Sequence, residues 1–292
     1  MTNPQVEQIR QMLAASALTQ EPTLENMRTN LDAAGANFPP LPGVRYEPVD
    51  AGGVNAEWIR VEGADPKRTL MYVHGGGYML GSLDSHRDLA SRIAVAAKAD
   101  TLAIDYPRAP EAPYPAALDH VRKALAWLRE QGHDELGLVG ESAGAGLIIS
   151  ATLAARDAGE RLPKALACIS PWVDLSCTSQ SLATADDPIM QPAVVAMMAA
   201  AYLGTTTPAT DPGAAPIHAD FEGMPPLLIH AGAAEGLLDD AKALAAKAKA
   251  AGVDVELEVW EDMFHAWHYF ALMLDDAQKA IEGVGAYLRA RV

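Results

Sequence analysis

At 292 residues, half of them apolar, the chain is long enough for one large α/β domain, or one domain with a small appendage. Its net charge of -16, with no Lys/Arg cluster, argues against a nucleic-acid surface, and it has no apolar run of the roughly 18 residues a membrane helix needs. The two cysteines, Cys168 and Cys177, lack metal-like spacing, and no basic stretch leads into an apolar run at the N-terminus, so no disulfide framework, no leader peptide and a reducing, cytoplasmic setting are expected.

Residues 1–40 read as two short helices. Val6, Ile9, Met12 and Leu13 recur at helical spacing, and Pro22-Thr23-Leu24 opens a second segment ending near Gly35. The mixed polarity of this arm suggests packing on a larger body, as part of a lid. Strands are expected at 44–49, 56–61, 69–73 and 101–104, with helices at 85–97 and 115–131. The helix at 115–131 is amphipathic, with Leu118, Val121, Leu125 and Leu128 on one face. A strand at 165–169 follows. Residues 175–220 break the rhythm with prolines and a Met-rich run at 194–203, and an insertion of that length is usually functional. The rhythm resumes with a strand at 227–231, a helix at 239–251, a strand at 253–260 and a last helix from about Ala266. Alternating strands and helices imply a mostly parallel sheet covered on both faces.

The chemistry centres on residues 136–150. An apolar run suited to a buried strand meets an apolar run suited to a buried helix, and Gly140-Glu141-Ser142-Ala143-Gly144 lies between. So tight a turn strains Ser142 and needs the room that Gly140 and Gly144 leave. It also sets the hydroxyl at a helix N-terminus, where free N–H groups favour negative charge. A serine nucleophile needs a base, the base an orienting acid, and the oxyanion its donors. Of eight histidines, His265 is the favoured base, because it follows the last strand on a loop. His268 falls in the expected last helix, His230 in a strand and His218 in the insertion. Glu235 is the favoured acid, being first on the loop after strand 227–231; Asp239 is second and Asp174 third. Asp239 and Asp240 open a helix, where carboxylates often serve as caps. His74-Gly75-Gly76-Gly77 follows a buried strand and can aim backbone N–H groups inward. The N–H groups of Gly76, Gly77 and Ala143 are assigned to the oxyanion, each worth about 3 kcal/mol in a transition state. His74 is expected to pin this loop.

His-Gly-Gly-Gly-Tyr at 74–78, Gly-Glu-Ser-Ala-Gly at 140–144 and Met263-Phe264-His265 together resemble the hormone-sensitive-lipase-like branch of the α/β-hydrolases, the bacterial family IV esterases. The resemblance runs over nearly the whole chain. It implies an α/β-hydrolase fold with an eight-stranded, mostly parallel sheet, helices on both faces and a helical cap. The cap would comprise residues 1–40 and the insertion 175–220; residues 41–174 and 221–292 would form the core. The chain departs from the family pattern at four places: Pro107 stands where Arg is usual, with the basic residue displaced to Arg108; Glu141 replaces Asp; Ala145 replaces a third Gly; and Glu235 replaces Asp in the acid motif. Segments 170–175, 234–241 and 263–267 look closest to lactone hydrolases for monoterpene or caprolactone rings.

The expected activity is that of a serine carboxylesterase on short-acyl or small cyclic esters, through an acyl-enzyme. Its substrate is a small-molecule ester or lactone. The chemistry needs no metal or organic cofactor, and no membrane partner is expected. Tyr78, Trp172, Met198 and Tyr202 are candidate pocket liners, each also readable as plain core. A lactone hydrolase with the same residues is the alternative. A ligand receptor on a dead hydrolase scaffold is a remote one, which retention of Ser142 and His265 opposes. The resemblance also allows a homodimer through the last strand and its neighbouring helix.

Overall fold

The computed structural model describes residues 3–17 and 23–292. Two helices come first, α1 (Pro4–Ala17) and α2 (Leu24–Ala36). Thr23 caps α2 by accepting the Asn26 N–H, while Pro22 lies outside the described residues. Val6 and Ile9 are fully buried, but Met12 is 43% exposed. The α1 stripe therefore runs through 6, 9 and 13, and Met12 flanks it.

The chain then alternates: β1 (Val44–Asp50), β2 (Asn55–Val61), β3 (Thr69–Val73), α3 (Leu83–Ala97), β4 (Asp100–Ile104), α4 (Ala116–Glu130), β5 (Leu136–Glu141), α5 (Ala143–Asp157) and β6 (Ala165–Ile169). The insertion holds α6 (Gln180–Thr184), α7 (Pro192–Leu203) and a 3-10 turn, Pro216–His218. β7 (Leu227–Gly232), α8 (Leu238–Ala250), β8 (Val255–Trp260) and α9 (Asp275–Arg291) complete it. Among the described residues the strands form one eight-stranded sheet, ordered β1-β2-β4-β3-β5-β6-β7-β8. The β1–β2 and β2–β4 pairs are antiparallel; from β4 to β8 every pair is parallel.

Strands β3, β5, β6 and β7 are buried along their whole length. That is why they read as unbroken apolar runs rather than alternating ones. Helices α4, α5 and α8 supply the core on one face, and α3 and α9 on the other. The register aligns the ends of the parallel strands: Val73 lies opposite Gly140, Glu141 opposite Ile169, Ile169 opposite His230, and Gly232 opposite Trp260. Loops leaving β3, β5, β6, β7 and β8 thus emerge at one carboxyl edge, where open α/β sheets bind ligands.

The last helix begins later than the sequence pattern indicates. Ala266 adopts a left-handed conformation (φ 53), Trp267–Phe270 forms a 3-10 turn, and α9 opens only at Asp275. Met263, Phe264, Trp267 and Leu274 mimic a helical stripe, yet they pack against Val6 and Ile9 of α1. Asp275 and Asp276 mark the true start, where acidic groups meet the positive end of the helix.

Candidate active site

Ser142 stands between β5 and α5 with φ 52 and ψ -118, a conformation that L-residues avoid. Neighbouring contacts over-determine it. A Cβ at Gly140 would fall 2.5 Å from Gly144, and one at Gly144 would fall 2.1 Å from the Val73 carbonyl. The Ser142 N–H is held by the Ile169 carbonyl at 2.8 Å. The hydroxyl is thus fixed above the sheet edge, at the N-terminus of a helix whose first eleven residues are buried.

His265 follows β8, on the third loop from that of Ser142 along that edge. Its Nε2 lies 3.0 Å from Ser142 Oγ. Burial pushes its pKa down to about 4, opposed by the Asp187 carboxylate. The imidazole is therefore neutral near pH 7, the form that accepts a proton.

Glu235 is fully buried on the loop after β7. Its Oε2 accepts the Ser170 hydroxyl at 2.7 Å and the Gly232 N–H at 2.9 Å. The same Ser170 oxygen accepts the N–H of Ala266, next to His265, at 3.1 Å. Glu235 therefore joins the histidine loop through one hydroxyl. Its Oε1 and the His265 Nδ1 are both buried and without a protein partner. Burial raises the Glu235 pKa to about 8, against the two donors on Oε2. The other acid candidates are engaged elsewhere. Asp239 accepts the Ser181 N–H at 2.8 Å, and Asp174 closes its own turn on the Ser176 N–H at 2.9 Å. Asp240 accepts the N–H groups of Val173 and Asp174 at 3.0 and 2.9 Å. Of the remaining histidines, His230 is in β7 with Nδ1 3.1 Å from Nε2 of His268, which lies in the 3-10 turn.

The loop after β3 turns through Gly76 and Gly77 at φ 101 and 62, which glycine adopts without strain. Among the described residues no hydrogen bond engages the N–H of Gly76, Gly77 or Ala143. His74 does hold this loop: its Nδ1 lies 2.8 Å from the Gly75 carbonyl, its ring stacks on Tyr106 at 4.2 Å, and the Tyr106 hydroxyl donates to the His74 carbonyl at 2.9 Å. Displaced Arg108 still serves the loop, donating to the Gly81 carbonyl and lying 4.0 Å from Asp105. From the arm, Arg28 donates to the carbonyls of Met79 at 2.8 Å and Ala109 at 3.0 Å.

Glu141 has more to do than its place before the nucleophile suggests. Its carboxyl lies 3.4 Å from His86 Nε2 and 3.7 Å from His265 Nε2, and fills the space beside Gly75, where a Cβ would fall 2.0 Å from Oε2. Burial raises its pKa to about 8, and the Gly75 N–H opposes that rise.

The four expected pocket liners fall together, with different roles. Tyr78 stacks on Tyr202 of α7 at 3.7 Å and tilts against Trp172 at 5.5 Å, all three being buried. Met198, also on α7 and half-buried, lays its sulfur on Gly77: a Cβ there would fall 2.1 Å from Sδ. The insertion thus docks on the glycine loop through one aromatic stack and one thioether. Ser170, Glu141 and Asp187 escaped the reading of the sequence. Ser170 follows β6 and Glu141 ends β5, positions that could have marked them; Asp187 reaches the site through contacts distant in the chain.

The α/β hydrolase fold family matches residues 70–269. An acetyl-hydrolase of Streptomyces hygroscopicus is 43% identical over 293 residues, covering 99% of this chain and 97% of its own. An esterase of Acinetobacter venetianus is 31% identical, covering 89% and 87%. A crystal structure of an esterase from the bacterial hormone-sensitive lipase family superposes with a TM-score of 0.96 at 40% identity, over 100% of this chain and 99% of that one.

Proposed function

The chain belongs to the α/β-hydrolase fold family, among its bacterial hormone-sensitive-lipase-type esterases, and from that premise we propose a serine carboxylesterase for small acyl groups, acetyl foremost. The observation that carries the reading is the 3.0 Å approach of His265 Nε2 to Ser142 Oγ, beside three unengaged N–H groups. Ser142 attacks the ester carbonyl while His265 takes its proton. The N–H groups of Gly76, Gly77 and Ala143 receive the oxyanion. As the intermediate collapses, His265 gives the proton to the leaving alcohol. It then takes a proton from water as the hydroxide attacks the acyl-serine, and returns it to Ser142 Oγ when the second intermediate collapses and the acid leaves.

Glu235 is the orienting acid in this reading. A neutral imidazole that accepts at Nε2 carries its proton on Nδ1, and Nδ1 needs an acceptor. The buried Glu235 Oε1 is an acceptor without a donor. The two orphans are complementary, and Ser170 already ties their loops. Met198, reaching Gly77 from α7 of the insertion read as the cap, supports a short acyl site. The arm, through α1 against the histidine loop and Arg28 against the glycine loop, is read as part of that cap.

The test is a panel of p-nitrophenyl esters from acetate to octanoate, with ε-caprolactone alongside, each run against Ser142→Ala as blank. The reading expects kcat/KM to peak at acetate or butyrate. A peak at octanoate would refute the small acyl site, preferential ring opening would favour the lactone hydrolase, and no Ser142-dependent turnover would leave only the receptor reading.

A further inference from the structure

Asp187 lies in the insertion, in the sequence Asp186-Asp187-Pro188, far from the strands that carry the reacting groups. Its Oδ2 accepts two N–H groups at once: that of His265, at 3.1 Å, and that of Gly236, the residue after Glu235, at 3.0 Å. Its Oδ1 accepts the N–H groups of Ile189 and Met190 at 2.8 and 3.1 Å, which closes its own turn. Only a carboxylate offers two oxygens to four donors; asparagine would turn an NH2 toward two of them. The neighbouring Asp186 is gripped by Arg10 of α1, through its carboxylate at 3.2 Å and its carbonyl at 2.6 Å.

We propose that Asp187 is a positioning residue, a clamp from the insertion that fixes the base loop and the acid loop at one spacing. The imidazole reaches Ser142 from a loop that rises from an edge strand, and its Nδ1 has no protein partner. The backbone N–H of His265 is therefore a principal tether of the ring, and Asp187 holds it. The same oxygen holds the loop of Glu235. A displacement of about 1 Å at either loop is enough to cost about 100-fold in rate.

The clamp is also a charge. It raises the pKa of both His265 and Glu235. The other groups facing His265 are Glu141 from β5 and His268 from the 3-10 turn. Glu235 also faces Ser170 after β6 and Asp240 on α8. Arg10 and Asp186 lie on the outer side.

The inference rests on the esterase reading, so Ser142-dependent hydrolysis of p-nitrophenyl acetate by the wild-type enzyme is the reference; its absence would sink that reading first. With the reference in hand, Asp187→Asn is expected to lower kcat by about 10- to 100-fold with KM within about twofold, and to move the rising limb of kcat/KM to lower pH. Asp187→Glu keeps the charge but displaces the oxygens: kcat falls, and the limb stays. Asp186→Asn should match the wild type. Wild-type kcat and limb in Asp187→Asn would overturn the clamp while leaving the esterase intact. Should both Asp187 variants fail to fold, hydrogen exchange in the wild type decides. Protected amides at His265 and Gly236 support the clamp, and exchange as fast as an open loop refutes it.

Discussion

Ser170 stands between Glu235 and the histidine loop, its hydroxyl donating a hydrogen bond to Glu235 Oε2 at 2.7 Å and accepting the Ala266 N–H at 3.1 Å on the same oxygen. A hydroxyl that both donates and accepts couples two loops that share no strand pairing of their own beyond the ends of β7 and β8. It also ranks the acids, because Asp239 spends its carboxylate on Ser181.

Glu235→Gln should lower kcat by about 10³- to 10⁴-fold, since an amide can present the wrong dipole to Nδ1. Asp239→Asn should stay within about tenfold of the wild type, and Ser170→Ala should fall between them. Steady-state kinetics on p-nitrophenyl acetate decides the order; a larger loss in Asp239→Asn transfers the acid role.

The pH profile follows from burial. An isolated histidine would give a rise near pH 6.5, but burial pushes His265 down to about 4. It pushes Glu235 up to about 8. Only the carboxylate form stabilises the imidazolium, so kcat/KM should still be rising between pH 7 and 8. A plateau already reached by pH 6.5 would show that Glu235 ionises far lower.

Stability should move the other way over the same range. Glu141 and Glu235 are raised to about 8 and Asp240 to about 7, all by burial. The folded state thus keeps protons that the unfolded chain has lost, and stability falls as pH rises through the folded values. The buried histidines His86, His265 and His268 have lowered pKa values, so their effect is opposite and confined below about pH 6.5. Between pH 6.5 and 8 the carboxyl groups therefore govern. Calorimetry should show Tm falling across that window, and a shallower fall in Glu141→Gln. Equal slopes would mean Glu141 is already ionised when folded.

Much of this was legible in the chain because it is local. Fully buried strands read as apolar runs, and Gly140-Glu141-Ser142-Ala143-Gly144 is a strand end, a turn and a helix start within a few residues. His265 was legible by its place after the last strand. The start of α9 was misread because residues 263–274 carry helical spacing in order to pack on α1, a contact with no local trace. The part Asp187 plays was invisible for the same reason, the loops it holds lying 49 and 78 positions away; Ser170, whose partners lie 65 and 96 positions away, had only its place after β6 to mark it.

On the proposed function, Met198 limits the length of the acyl group. Removing its thioether from Gly77 frees space that one or two further methylenes could fill. Met198→Ala should raise the kcat/KM ratio of hexanoate to acetate by about tenfold. An unchanged ratio would place the acyl chain elsewhere.

Mass spectrometry of enzyme quenched during turnover of p-nitrophenyl acetate would capture the acyl-enzyme itself. An acetyl group should appear on the peptide carrying Ser142, persist longer in His265→Ala, and be absent from Ser142→Ala. Turnover with no acyl group on Ser142 in any of these, or with the acetyl on another residue, would contradict the acyl-serine mechanism.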